Sequence, residues 1–149
     1  MRPGPVSVIK IEQMYQGQAR QVASALWGSG ASEYTFKILM VVGEDINIYN
    51  PMERDWAFSS RVNPTDDIVI FPGTRGGLLD MSVPIEYRDD VKYGTGRWDR
   101  VLIDATWNLG LRDEWFGKDR PPQAVDIDKK VEELVKQRWS EYGISGVDL

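Results

Sequence analysis

The sequence predicts an α/β fold, a single domain with a mostly parallel sheet flanked by helices. Three observations predict it. Short runs without a polar member recur at Ile38 to Val42, Ile68 to Phe71 and Val101 to Ile103, as buried strands require. Segments with helical spacing or helix-cap signatures alternate with them. Polar, glycine-containing stretches separate the two kinds of segment, so right-handed βαβ units are the expected building block. A length of 149 residues suits one hydrophobic core.

Taken in order, Val6 to Ile11 is β-branched and follows Pro3 and Pro5, residues suited to the approach to a strand rather than its middle. Ala19, Val22, Ala23 and Leu26 then fall at i, i+3, i+4 and i+7, one face of a helix, with Gly28 placed where a left-handed cap would end it. Ile38 to Val42 is the expected centre of the sheet. Asn50, Pro51 and Glu53 occupy the N-cap, N1 and N3 positions of a second helix, with Glu53 able to reach back to the cap, and Asn63-Pro64 marks its end. Ile68 to Phe71 and Val101 to Ile103 supply two further strands, the first ending in Pro72-Gly73 and the second in Asp104. Asp128 caps a last helix that places Val131, Leu134, Val135, Trp139 and Tyr142 on one face, pairs Glu132 with Lys136, and stops at Gly143. Met81 to Gly96 and Leu111 to Pro122 show no readable period and are expected to be long loops. The expected domain is residues 1–149, with 121–149 a carboxy-terminal helical extension.

Composition removes several classes of function. The chain has no His and no Cys, so it cannot build a Ser-His-Asp triad, a thiolate nucleophile, a disulfide or a His/Cys zinc site. A net charge of -5 argues against a nucleic-acid partner. No stretch has the length and apolarity of a membrane span, and MRPGPVSVIK carries no signal-type apolar run, so cytoplasm is the expected location. The pairs Glu44-Asp45, Asp66-Asp67 and Asp89-Asp90 read as solvated loops or caps, and no metal ligand set is expected from this chain. The six Trp residues either fill the core or mark an interface, with Trp107, Trp115 and Trp139 the candidates for the second role.

In an open parallel sheet, ligands bind beyond the carboxyl ends of the strands. With Ile68 to Phe71 taken as parallel, Gly43-Glu44-Asp45, Pro72-Gly73-Thr74-Arg75-Gly76-Gly77 and Asp104-Ala105-Thr106 are expected to converge there. The glycines of the second loop allow close approach of the backbone. Arg75 is either an anchor for a carboxylate or phosphate or a solvated residue on a flexible turn. The phosphate-loop and dinucleotide fingerprints are both missing.

Residues from EYTFKILMVVGEDINIYN through DWAFSSRVNP to IVIFPGTRGGLLD, with LIDAT at Leu102 to Thr106, resemble the carboxy-terminal domain of the UbiD-like, prenylated-flavin-dependent decarboxylases. The resemblance extends over IKIEQMYQGQARQVASALWG and VEELVKQRWSEYGI, from about Val6 to Gly143. It implies an enzyme of three parts, of which this chain supplies the last. A central domain would hold prenylated FMN, a divalent metal, potassium and the Glu-Arg-Glu catalytic set. No catalytic residue maps onto this chain. The resemblance further implies that Tyr34, Thr35 and Phe36 form one substrate-pocket loop and Arg75, Gly76, Gly77, Leu78 and Leu79 another. An aromatic or α,β-unsaturated acid is the implied substrate, and a flavin-binding central domain or subunit and further copies of the chain are the implied partners. Ferulate-type relatives carry a bulky aromatic where Gly77 stands and a Lys ahead of Tyr34, where this chain has Ala31-Ser32-Glu33. The alternatives are a binding or assembly domain that kept the fold without the chemistry, and a stand-alone enzyme using Asp and Arg.

Overall fold

A computed structural model of the chain describes residues 6–29, 36–74, 80–82, 84, 98–116 and 128–143. Two compact units make it up, Met1–Leu111 and Arg112–Leu149. The first holds an open four-stranded mixed sheet in the order β1-β2-β4-β3, with β1 Val6–Ile11, β2 Ile38–Gly43, β3 Ile68–Thr74 and β4 Trp98–Ala105. Strands β1, β2 and β4 are parallel, Val6 pairing with Ile38 and Ile38 with Val101. The expected α/β class, a mostly parallel sheet flanked by helices, is the observed one, and β2 lies inside the sheet as its unbroken apolar run requires.

Strand β3 departs from the expectation. It runs antiparallel to β4, from Ile68 opposite Ile103 to Thr74 opposite Trp98. The cause lies in the segment before it. Helix α2, Pro51–Arg61, ends with Arg61 bonded to Asp45, two residues beyond β2, so the chain has not returned to the starting edge of the sheet when it turns through Asn63. The next strand must then run backwards. As an edge strand β3 tolerates Pro72, which has no N–H to give, and a register shift between Phe71 and Thr74 accommodates Gly73 at φ 68°.

The helices cover opposite faces. Helix α1, Gln18–Gly28, packs Ala19 and Ala23 on Leu39, Val41 and Leu102, with Trp27, Val69 and Phe71 around them. Helix α2 packs Ala57 on Met40, Val42 and Ala105, with Trp56 and Val62 alongside. Leu39, Val41, Val42 and Leu102 are fully buried. Each contributes about 1.5 to 3 kcal/mol by leaving water.

Caps follow the sequence with two changes. Asn50 Oδ1 accepts from Met52 N–H at 3.0 Å, as an N-cap should, but Glu53 reaches the Asn50 amide (3.0 Å) and the Asn47 backbone N–H (2.7 Å) rather than the cap backbone. Gly28 is the last residue of α1 and is not left-handed. Ser29 is extended, and its backbone N–H and hydroxyl both bond Leu26 O, so no left-handed residue is needed. Replacing Asn50 by Ala is expected to lower the unfolding free energy by about 1 kcal/mol, measured by urea titration, because Met52 N–H loses its acceptor.

A short helix α3, Pro64–Asp67, precedes β3, and α4, Leu109–Phe116, stands where a loop from Leu111 was expected. Asn108 Oδ1 accepts from Leu111 N–H at 3.2 Å, a local start that the apolar spacing does not reveal. In the second unit, Asp128 Oδ1 accepts from Lys130 N–H at 2.9 Å at the start of α5, Lys129–Gln137. Lys136 pairs with Glu132 at 2.7 Å; the helix ends at Gln137 rather than at Gly143, which is left-handed and closes the turn that follows. Trp139–Tyr142 forms a separate 3-10 turn rather than continuing the helix.

Candidate functional site

The reversed direction of β3 decides which loops share an edge. Gly43-Glu44-Asp45 and Asp104-Ala105-Thr106 do leave the sheet at the carboxyl ends of β2 and β4. The loop after β3 leaves at the opposite edge, so the expected convergence of all three does not occur. That opposite edge also carries Phe36 and Lys37, which lead into β2. The flanks of both expected pocket loops therefore lie together. Phe36 is described; Tyr34, Thr35, Arg75, Gly76, Gly77, Leu78 and Leu79 lie outside the described residues.

Bonds between those flanks are specific. Lys37 Nζ sits 2.9 Å from Asp80 Oδ2 and also donates to the Ser82 hydroxyl. Asp80 Oδ1 accepts from Ser82 N–H at 2.9 Å and its hydroxyl at 2.7 Å. Burial alone would raise the Asp80 carboxyl, but the Lys37 and Ser82 bonds and the Lys37 charge hold it below its ordinary value of 3.8. Such a group stabilises the fold above its unfolded pKa and loses that contribution as pH falls through the lower folded value. In Asp80→Asn, the acid-induced loss of stability is expected to be shallower than in the parent, read from unfolding midpoints across a pH series descending through 3.8.

Deeper in this edge, Arg100 and Trp98 are buried on β4. Arg100 Nε donates to Thr74 Oγ1 at 3.2 Å, and Thr74 Oγ1 donates to Trp98 O at 2.9 Å. The Arg100 guanidinium lies 5.7 Å from the Trp27 ring centroid, and burial lowers its pKa without discharging it. Trp27 Nε1 donates to Phe36 O at 2.9 Å and its ring meets Phe71 edge-on at 4.9 Å. Phe36 itself has φ 60°, a left-handed conformation that costs a bulky side chain about 1 to 2 kcal/mol.

The carboxyl edge holds a second constellation, one that sequence reasoning missed. Arg61 makes a two-pronged ion pair with Asp45, one bond being 3.1 Å, and its guanidinium lies 3.8 Å from the Trp107 centroid and 4.8 Å from that of Trp56. Gln13 clasps Trp107 through both of its backbone groups, at 2.7 and 3.0 Å. Asp104 Oδ1 accepts from Thr106 N–H and hydroxyl, so this part of LIDAT closes a turn. Burial raises the Asp67 carboxyl, the Asn63 N–H bond opposes this, and the Asp104 and Asp66 charges add to it. The available signal was the spacing of Ala57 and Arg61, four apart on the inward face of α2 and both buried.

The described residues do not fit a complete flavin or metal site. Lys37 and Arg100 are already engaged, and no group of three acidic side chains gathers among the described residues.

The fold is that of a small α/β domain with an open, mostly parallel sheet flanked by helices. Residues 4–105 match the family model of the 3-octaprenyl-4-hydroxybenzoate carboxy-lyase C-terminal domain, and the chain belongs to that UbiD C-terminal family. The uncharacterized protein sll0936 of Synechocystis sp. is 34% identical over 145 residues, 96% of this chain and 26% of that protein. Among solved structures, the UbiD-class enzyme HmfF from Pelotomaculum thermopropionicum in complex with FMN superposes with a TM-score of 0.62 at 28% identity, covering 92% of this chain and 26% of that one. Vanillic acid decarboxylase of Sedimentibacter hydroxybenzoicus, in its closed form, gives 0.63 at 25% identity, covering 95% and 27%. The chain thus spans about a quarter of the length of the relatives it matches. Among the described residues no helix is long and apolar enough to cross a membrane.

Proposed function

We propose that this chain is the carboxy-terminal domain or small subunit of a UbiD-like decarboxylase or carboxylase acting on an aromatic or α,β-unsaturated carboxylic acid. The family match over residues 4–105 carries the reading. It works in the cytoplasm with a flavin-binding central domain or subunit, which holds prenylated FMN, divalent metal and potassium and supplies the catalytic carboxylates. This chain contributes Tyr34, Thr35, Phe36 and Arg75 to Leu79 as pocket walls. The shared edge of Phe36, Lys37, Thr74 and Asp80 supports that assignment, because loops anchored on one edge can reach one substrate. The isolated chain is expected to retain no stoichiometric flavin and to release no carbon dioxide from cinnamate-like acids after coexpression with a prenyl-flavin synthase. A flavin absorption band at stoichiometric level, or turnover, would contradict the reading.

The same reading includes assembly with further copies or a partner. Trp115, Leu134 and Tyr142 are exposed apolar side chains of the kind that interfaces cover. Light scattering is expected to show a mass above 17.0 kDa, alone or after mixing with a central-domain partner. A strict monomer in both conditions would count against an interface role.

A further inference from the structure

Arg100 is a charged side chain on a strand paired on both sides, and only 4% of it is exposed. A Leu or Met would fill such a place without the cost of desolvating a charge. The guanidinium does something those residues cannot: its Nε donates to Thr74 Oγ1, in the residue ahead of one loop, while its Cζ lies 5.7 Å from the Trp27 ring centroid. Trp27 in turn bonds the carbonyl of Phe36, the residue that ends the other loop and carries an unfavourable backbone angle. The links run without a gap from Thr74 through Arg100 and Trp27 to Phe36. Backbone strain of this kind persists only where neighbours hold it.

We infer that Arg100 and Trp27 form one positioning unit that couples the ends of the two loops, so that the conformation at Thr74 sets that at Phe36 and the reverse. Neither residue is catalytic. That the coupled loops line a substrate pocket rests on the preceding reading; the coupling itself does not. In an assembled enzyme the unit would keep both walls of the pocket in register, and its loss would be felt in substrate binding rather than in the chemical step.

The test uses the full chain labelled with nitrogen-15. Thr74→Val removes the acceptor of Arg100 Nε, and Trp27→Phe keeps an aromatic ring but removes the donor to Phe36. Thr74→Val is expected to move the amide signals of Phe36 and Lys37, and Trp27→Phe those of Thr74 and Asp80, beyond the shifts caused by Ser59→Ala at an exposed position of α2. In an Arg100→Lys background, which keeps the charge but loses the planar fork, both cross-shifts should vanish. Should Arg100→Lys fail to fold, a double-mutant cycle of Trp27→Phe and Thr74→Val by urea unfolding should be non-additive. Purely local shifts, cross-shifts that survive Arg100→Lys, or an additive cycle would overturn the inference. A separate arm varies Phe36→Leu in the assembled enzyme. An unchanged KM there alongside intact cross-shifts would defeat the pocket assignment and leave the coupling standing.

Discussion

Replacing Arg61 by alanine is expected to lower the unfolding free energy by about 3 kcal/mol, which is a large part of the 5 to 15 kcal/mol typical of a domain. The guanidinium is 1% exposed, and its removal takes away both prongs to Asp45 and the filling between Trp56 and Trp107. Asp45 remains 37% exposed, so water recovers part of its solvation, and the loss falls at the lower end of the range for a buried pair. Arg61→Lys should rescue little, because an ammonium offers neither the planar fork nor the stacking face. Gly43→Ala strikes the same pair from the other side: a Cβ there would meet Asp45 Oδ1 at 2.7 Å and Arg61 Nη1 at 3.5 Å. Combined with Arg61→Ala it should therefore cost less than the sum of the two. Urea unfolding of the four proteins decides the matter. A loss below about 1 kcal/mol for Arg61→Ala would mean that the stack is incidental.

Gly77→Phe in the assembled enzyme is expected to raise KM for a bulky or bicyclic acid by about tenfold to a hundredfold while sparing a small one, the range for misfilling an apolar pocket. On the resemblance, ferulate-type relatives carry an aromatic at that place, so under the proposed pocket role the substitution would add a wall there. Leu78 and Leu79 would supply apolar surface beside it. The loop follows Thr74, whose hydroxyl is held by Trp98 O and Arg100, so its origin is fixed even though Gly77 lies outside the described residues. Paired kinetics with one small and one large acid provide the check. Equal effects on both acids, or none, would make the loop a structural turn.

Much of the fold could be read from the chain because local signals and packing agree in it. The apolar run Ile38 to Val42 became an interior strand, and the Ala19, Ala23 and Leu26 stripe became the packed face of α1. Caps at Asn50 and Asp128 were legible because a side chain two residues from its N–H partner is a local matter. Strand direction is not local. Ile68 to Phe71 reads the same in a parallel or an antiparallel pairing, and its reversal goes with where α2 ends, a position marked by the bond between Arg61 and Asp45, sixteen residues apart. The same limit hid the Arg61, Trp56 and Trp107 stack, since Trp107 joins it from beyond β4. At the loop edge, resemblance named the segments, but only the reversed β3 explains why segments ahead of β2 and after β3 share an edge at all.

The central claim, that this chain completes a flavin-dependent carboxy-lyase, is tested most directly by reconstitution. A partner bearing the amino-terminal and central domains, loaded with prenylated FMN and lacking the carboxy-terminal domain, would be assayed for carbon dioxide release from a panel of aromatic and unsaturated acids, with and without this chain. Release is expected only when both are present and to saturate at one chain per flavin. Full activity of the partner alone, or a stable complex that stays inactive on every acid, would contradict the account.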